Sequence, residues 1–192
     1  MTGYDPEGRI VEWGNRDLDK IFKLSKKYDK LQSNRDLAME RRNKRKRFRL
    51  RKKMFRIIRQ IRNLIDECHH QLSRWLCENY EFILLPRFKS SNMILRNKRK
   101  IRSKTARMML TWSHFRLRMF LEHKAREFSI CKIIACTEEY TSKTCGYCEF
   151  VKNDLGGSKT FRCDSCEVEM DRDVNGARNI LLKYLTEGQA SA

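Results

Sequence analysis

The chain has 192 residues, which suits one domain, or one domain plus a small metal-held module. Lys and Arg number 43 against 24 Asp and Glu, a formal charge of +19, and the hydrophobic fraction of 40% excludes a simple disordered tail. With 2 Pro and 8 Gly, a low-complexity or collagen-like chain is excluded too. The apolar runs are short, as in Phe82-Ile83-Leu84-Leu85, so no transmembrane span is predicted, and Met1-Thr2-Gly3-Tyr4-Asp5 does not read as a signal peptide.

In chain order, residues 1–14 read as a hairpin. Asp5-Pro6-Glu7-Gly8 has turn chemistry, and Arg9-Ile10-Val11-Glu12-Trp13 alternates polar with apolar before Gly14. Residues 16–40 show a weak helical pattern. Residues 41–62 contain 13 Lys or Arg and no acid. Ile57, Ile58, Ile61, Leu64, Ile65, Cys68, Leu72, Trp75 and Leu76 then recur at helical spacing. One long amphipathic helix is predicted over about 45–78, its apolar face on a sheet and its basic face toward solvent or phosphate. An ordinary solvated surface helix would interleave Glu with its Lys and Arg.

Glu81–Leu85 reads as a buried strand stopped by Pro86. Residues 87–102 read as a basic loop. A second amphipathic helix is predicted over 103–128, with Met109, Trp112, Phe115, Met119 and His123 assigned to the core. His69, His70, His114 and His123 form no metal spacing. Ile130–Cys136 is a further strand, and 173–185 a final helix with Ala177, Ile180, Leu181 and Tyr184 on one face. Strands alternating with helices after an antiparallel start predict an α/β fold with a mixed sheet.

The charge is uneven. Residues 1–136 hold 36 basic and 14 acidic side chains, whereas 137–192 hold 7 and 10. Such an excess points to a polyanion, chiefly nucleic acid. The phosphate-tracking candidates are Arg41, Arg42, Lys44, Arg45, Lys46, Arg47, Arg49, Arg51, Lys52, Lys53, Lys98, Arg99, Lys100, Lys104 and Arg107. The same run also reads as a nuclear-localisation signal; a nuclear protein is expected if the host is eukaryotic, otherwise an intracellular one.

Cys145-Gly146-Tyr147-Cys148 and Cys163-Asp164-Ser165-Cys166 are two C-x-x-C pairs separated by 14 residues. Four thiolates brought together by two such knuckles suit one tetrahedral Zn²⁺. Without a signal peptide, this reading and a reducing compartment outweigh a disulfide scaffold. Gly146 is expected to relieve crowding at the first knuckle, Asn153–Gly157 to be a hairpin turn, and Phe161 to supply an apolar contact. Cys68, Cys77, Cys131 and Cys136 fall in apolar helix or strand patterns. Glu138 and Glu139 lie just past a strand, and Asp171 and Asp173 open the last helix. Clustered carboxylates suit Mg²⁺, and an aspartate at a helix start also serves as an N-cap.

The series Tyr140–Cys148, Phe161–Cys166 and Asp171–Ile180 resembles the C-terminal end of TnpB proteins and their eukaryotic and viral relatives, the Fanzor proteins: transposon-encoded RNA-guided DNA endonucleases related to type V CRISPR effectors. Ile83–Phe88, Lys104–Arg107 and Thr111–Arg116 look more like Fanzor. The resemblance implies an incomplete RNase H-like (RuvC) domain over 1–139 and a zinc ribbon, the target nucleic-acid-binding domain, over 140–170. A last RuvC helix over 171–186 and a tail over 187–192 complete the predicted order. In Asp173-Val174-Asn175 it implies Asp173 as a metal ligand, with Asp171 a lesser candidate. The family's second acidic position falls on Pro86, which cannot bind metal. Glu138 matches an alternative Glu of Fanzor-type relatives, and Glu139 would point to the other face. The family's first Asp is expected upstream of a hairpin like Thr2–Trp13, and Asp5 reads as turn, not catalyst. Guide RNA would be held by regions outside this chain. A nuclease fragment with structural zinc and catalytic Mg²⁺, a non-catalytic DNA-binding protein and a zinc-held protein-interaction module all stay open.

Overall fold

A computed structural model describes residues 1–87 and 103–189. The predicted basic loop, with Lys98, Arg99 and Lys100, therefore lies outside the described residues except for Arg87.

The predicted hairpin forms. Strand β1 (Thr2–Tyr4) pairs antiparallel with β2 (Ile10–Glu12), Gly3 facing Val11. Asp5 is buried and accepts from the Arg9 backbone N–H (2.8 Å), Arg9 Nε (2.6 Å) and the Tyr80 hydroxyl (3.2 Å). Burial alone would raise its pKa, but these hydrogen bonds hold the carboxyl below its usual range. Asp5 thus fixes the turn.

Gly14 links the hairpin to helix α1 (Asn15–Glu40). Its φ is +86°, and a Cβ there would lie 2.7 Å from the Trp112 ring. Both the left-handed backbone and the close aromatic demand glycine. Helix α2 (Lys44–Asn79) matches the predicted long helix. Asn43 caps it, its side chain accepting from the Lys46 N–H at 2.9 Å. Over its middle the apolar face of α2 packs on helices; at its C-terminal end Cys77 and Leu76 meet a sheet, as expected. Ile65 and Cys68 meet Ile21 of α1 and Trp112, with Leu18, Ile61 and Leu64 around them.

The predicted helix over 103–128 is two helices, α3 (Ser103–Trp112) and α4 (His114–Glu127). Ser113 breaks them with φ +50°, and its carbonyl accepts from the N–H groups of Arg116 and Leu117. The break rotates the buried face. Trp112 is buried as expected, but Phe115 is 72% and Met119 51% exposed, and Leu117 and Leu121 are buried instead. His123 is exposed as well.

Strand β3 (Phe82–Pro86) pairs parallel with β4 (Lys132–Cys136), in register from Phe82–Lys132 to Pro86–Cys136. Cys77, Ile83, Leu121 and Cys131 form a second core where this pair meets α2 and α4. Strands β5 (Thr160–Arg162) and β6 (Glu169–Asp171) make an antiparallel pair, followed by helix α5 (Arg172–Gln189), longer than predicted. Among the described residues the strands form three two-stranded sheets rather than one mixed sheet. Asn153–Gly157 does not join paired strands; it leads from the first cysteine knuckle toward β5.

Candidate metal and nucleic-acid site

The four cysteine Sγ atoms of Cys145, Cys148, Cys163 and Cys166 all lie within 4.8 Å of one another. Cys145 and Cys166 are 3.7 Å apart, and Cys148 and Cys163 3.5 Å. A tetrahedron of Zn–S bonds near 2.3 Å has edges of about 3.8 Å, so the set fits a metal rather than two disulfides. The Cys163 sulfur accepts from the backbone N–H groups of Ser165 and Cys166. Those donors, the Cys166 N–H first, lower its pKa and favour its thiolate, while, against the Val168 N–H, desolvation and the neighbouring sulfurs push the Cys166 thiol up. Phe161, 1% exposed, packs with Cys145 and Cys163 against Leu155, Val168 and Met170, as expected.

Helix α5 holds this module in place. Asn175 Nδ2 donates to the Thr144 carbonyl at 2.8 Å, and its Oδ1 accepts from the Gly146 N–H at 3.1 Å. One turn on, Asn179 Nδ2 donates to the carbonyls of Thr141 (2.8 Å) and Thr144 (2.6 Å). Both asparagines are buried. A Cβ on Gly146 would sit 2.9 Å from Asn179 Oδ1. Gly146 is therefore required by the approach of α5, a reason different from the crowding at sulfur expected from its place in the knuckle. The Arg178 guanidinium lies over the Tyr147 ring at 5.2 Å. Sequence reasoning assigned no task to Asn179 or Arg178. The partners of the two asparagines lie 29 to 38 residues away, and that of Arg178 lies on the first cysteine knuckle, which no local spacing signals.

The four carboxylates separate. Glu138 and Asp173 border one cleft of about 1380 Å³, together with Pro86, Lys159, Arg172 and the Ala177–Ile180–Leu181 face of α5. The parallel pairing of β3 and β4 brings Pro86 and Glu138 to the same end of the sheet. Burial raises the Glu138 pKa. Glu139 is exposed and borders no part of the cleft. Asp171 accepts from the N–H groups of Asp173 (2.8 Å) and Val174 (3.3 Å), so it N-caps α5.

The basic candidates from Arg41 to Lys53 are all exposed. Arg107 makes paired hydrogen bonds to Asp29, one of 2.8 Å, and Lys104 lies 4.1 Å from the Phe22 ring centre. Both tie α3 to α1. Among the described residues no helix is long and apolar enough to cross a membrane.

The family described as Cas12f1-like, TNB domain, matches residues 114–180. The A625R protein of Paramecium bursaria Chlorella virus 1, named for a transposase, is 39% identical over 130 residues, 68% of this chain and 29% of that protein. The R186 protein of Acanthamoeba polyphaga mimivirus, also named for a transposase, is 30% identical over 91% of this chain and 35% of its own length. InsQ of Escherichia coli (strain K12), named for an RNA-guided DNA endonuclease, is 30% identical over 63% of this chain and 32% of its own length. The chain spans about a third of the length of these relatives. A Cas12f1 chain, solved by cryo-EM in complex with sgRNA and target DNA, superposes with a TM-score of 0.55 at 18% identity, over 90% of this chain and 43% of that one, a likeness of fold. The domain match, the viral and bacterial relatives and the shared fold together make this a TnpB-like chain, similar to the C-terminal part of such proteins.

Proposed function

We propose that the chain is a zinc-containing DNA-binding segment of a transposon-encoded RNA-guided DNA endonuclease. The zinc ribbon is the part that meets target nucleic acid, and the cleft beside it is the remnant or component of a RuvC-type site. The observation that carries this reading is the cysteine cluster fastened by Asn175 and Asn179 to the helix that presents Asp173 to the cleft. One element thus serves both the metal-held module and the candidate hydrolytic site.

Cys145, Cys148, Cys163 and Cys166 would hold Zn²⁺ as a structural ion. Glu138 and Asp173 offer the hard oxygen donors that Mg²⁺ takes. Burial raises the pKa of Glu138, and a bound divalent cation would oppose that shift by stabilising the ionised carboxylate. Bound there, Mg²⁺ would supply an activated water and charge stabilisation for phosphodiester hydrolysis. Lys159 and Arg172 border the same cleft and would draw a phosphate toward it. Among the described residues only the four cysteines form a group of three or more such ligands, so two carboxylates alone should bind Mg²⁺ weakly. A DNA-binding protein without cutting is therefore the second reading, favoured by that shortage.

The test is DNA affinity of the full chain with zinc bound and after chelation, followed by fluorescence anisotropy. The zinc-loaded protein should bind, and chelation should weaken binding at least severalfold. Zinc content with no DNA binding would support the interaction-module alternative.

A further inference from the structure

On the outward side of α2, large rings stand in water among cations. Phe48 is 60% and Phe55 61% exposed. They are seven residues apart, so they share one helix face about 10.5 Å apart along the axis. Arg45, Lys52, Arg59 and Arg62 share that face and are exposed. At 3.6 residues per turn the six side chains fall within about 100° of arc, roughly opposite the buried Met54, Ile57 and Ile65. Each ring carries a cation from the next turn: Lys52 Nζ is 4.8 Å from the Phe48 ring centre and the Arg59 guanidinium 5.7 Å from that of Phe55.

Two exposed phenylalanines in water cost free energy that burial would recover, so this face is built to be covered. The cover must also be anionic, because residues 41–65 contain no acid. An acidic protein surface or an anionic bilayer would meet the charge and could bury the rings, but neither repeats flat faces in step with its charges. Bases offer flat faces at the same spacing as phosphates.

We propose that Phe48 and Phe55 are base-stacking residues for single-stranded nucleic acid, with Arg45, Lys52, Arg59 and Arg62 holding its phosphates. Each ring has one face occupied by its own cation, which leaves the other for a base. At the stacked rise of about 3.4 Å per nucleotide the two rings reach bases roughly three positions apart. A duplex keeps its bases stacked inside and can use only the cations. The proposal rests on the nucleic-acid reading above and adds a strand preference to it.

The test uses the full zinc-loaded chain and three labelled ligands: a single strand of mixed sequence, a strand of the same length lacking its bases, and a duplex. DNA and RNA strands are both run. Replacing both rings (Phe48→Ala with Phe55→Ala) should weaken single-strand binding about tenfold per ring. Duplex binding and the salt dependence should not change. The abasic strand should bind wild type and variant alike. A second pair, Phe48→Leu with Phe55→Leu, keeps apolar volume and helix propensity but removes the flat π faces; it should lose single-strand affinity in the same direction. Equal binding of the single strand by wild type and both variants would overturn the proposal. So would a uniform loss across all three ligands. Wild type that binds every ligand equally, with steep salt dependence, would overturn base stacking and leave the DNA-binding reading intact. Wild type that binds none would overturn both.

Discussion

Asn179 holds two backbone carbonyls with a single amide, and both carbonyls belong to the segment that enters the first cysteine knuckle. Truncating it leaves the Thr141 carbonyl without its side-chain donor and the Thr144 carbonyl with Asn175 alone. Asn179→Ala should therefore destabilise the joint between α5 and the ribbon by about 1–3 kcal/mol. The readout is the rate at which a chelator strips the metal: it should rise while helix content is unchanged, and an unaltered rate would show that the asparagine holds nothing. At this scale the sequence was informative where spacing carries chemistry. The paired C-x-x-C motifs announce a tetrahedral site, since only a metal needs four sulfurs so placed. Neither Asn175 nor Asn179 announces a clamp, because a hydrogen bond to a backbone carbonyl about thirty residues or more away has no local pattern. Asp171 and Asp173 are two residues apart and chemically alike, and only the capping geometry assigns Asp171 to the backbone.

At the scale of elements, apolar periodicity located α1, α2 and α5 and the pairing partner of β3. It failed at Ser113. Met109, Trp112, Phe115 and Met119 keep helical spacing across the break, so nothing in the period signals that the face turns. The left-handed Ser113 turns it, next to Trp112 packed on Gly14 and Cys68. The ribbon poses a different question of stability. Its core is Cys145, Phe161 and Cys163 with three partly buried neighbours, too little apolar surface to hold a fold alone. Removing the metal should unfold about 141–171 and leave the α1–α2 hairpin standing, because that hairpin rests on Ile21, Ile65, Cys68 and Trp112 instead. Limited proteolysis after chelation should cut within the ribbon first. Simultaneous loss of the hairpin would contradict this division.

Among the described residues, strands and helices line a cleft rather than closing a single sheet, with separate apolar cores around Trp112 and around Leu121. One holds a weak point. His69 is fully buried, edge-on to Trp112 at 5.5 Å, and among the described residues neither ring nitrogen has a hydrogen-bond partner. Burial, above all, lowers its pKa from 6.5 to about 4, and burial lowers that of His114 as well. The unfolded chain therefore binds more protons than the folded one between pH 6.5 and about 4. This stability is fully present above pH 6.5 and is lost as pH falls through that window. The urea midpoint should drop on acidification, and His69→Leu should flatten the drop; a midpoint that rises would contradict the burial. The uneven charge also belongs to this scale. It was legible from composition, but the side of α2 that carries it became clear only when α1 and α4 covered the other side.

If the exposed cations of α2 meet nucleic-acid phosphates, the salt dependence of DNA affinity shows it most directly. Log K should fall steeply and linearly with log salt, with a slope of about −0.9 per duplex phosphate neutralised. Changing Arg45, Arg49 and Lys52 to Gln should make that slope shallower by up to roughly 2–3. A flat salt response, or a slope untouched by those changes, would contradict that contact.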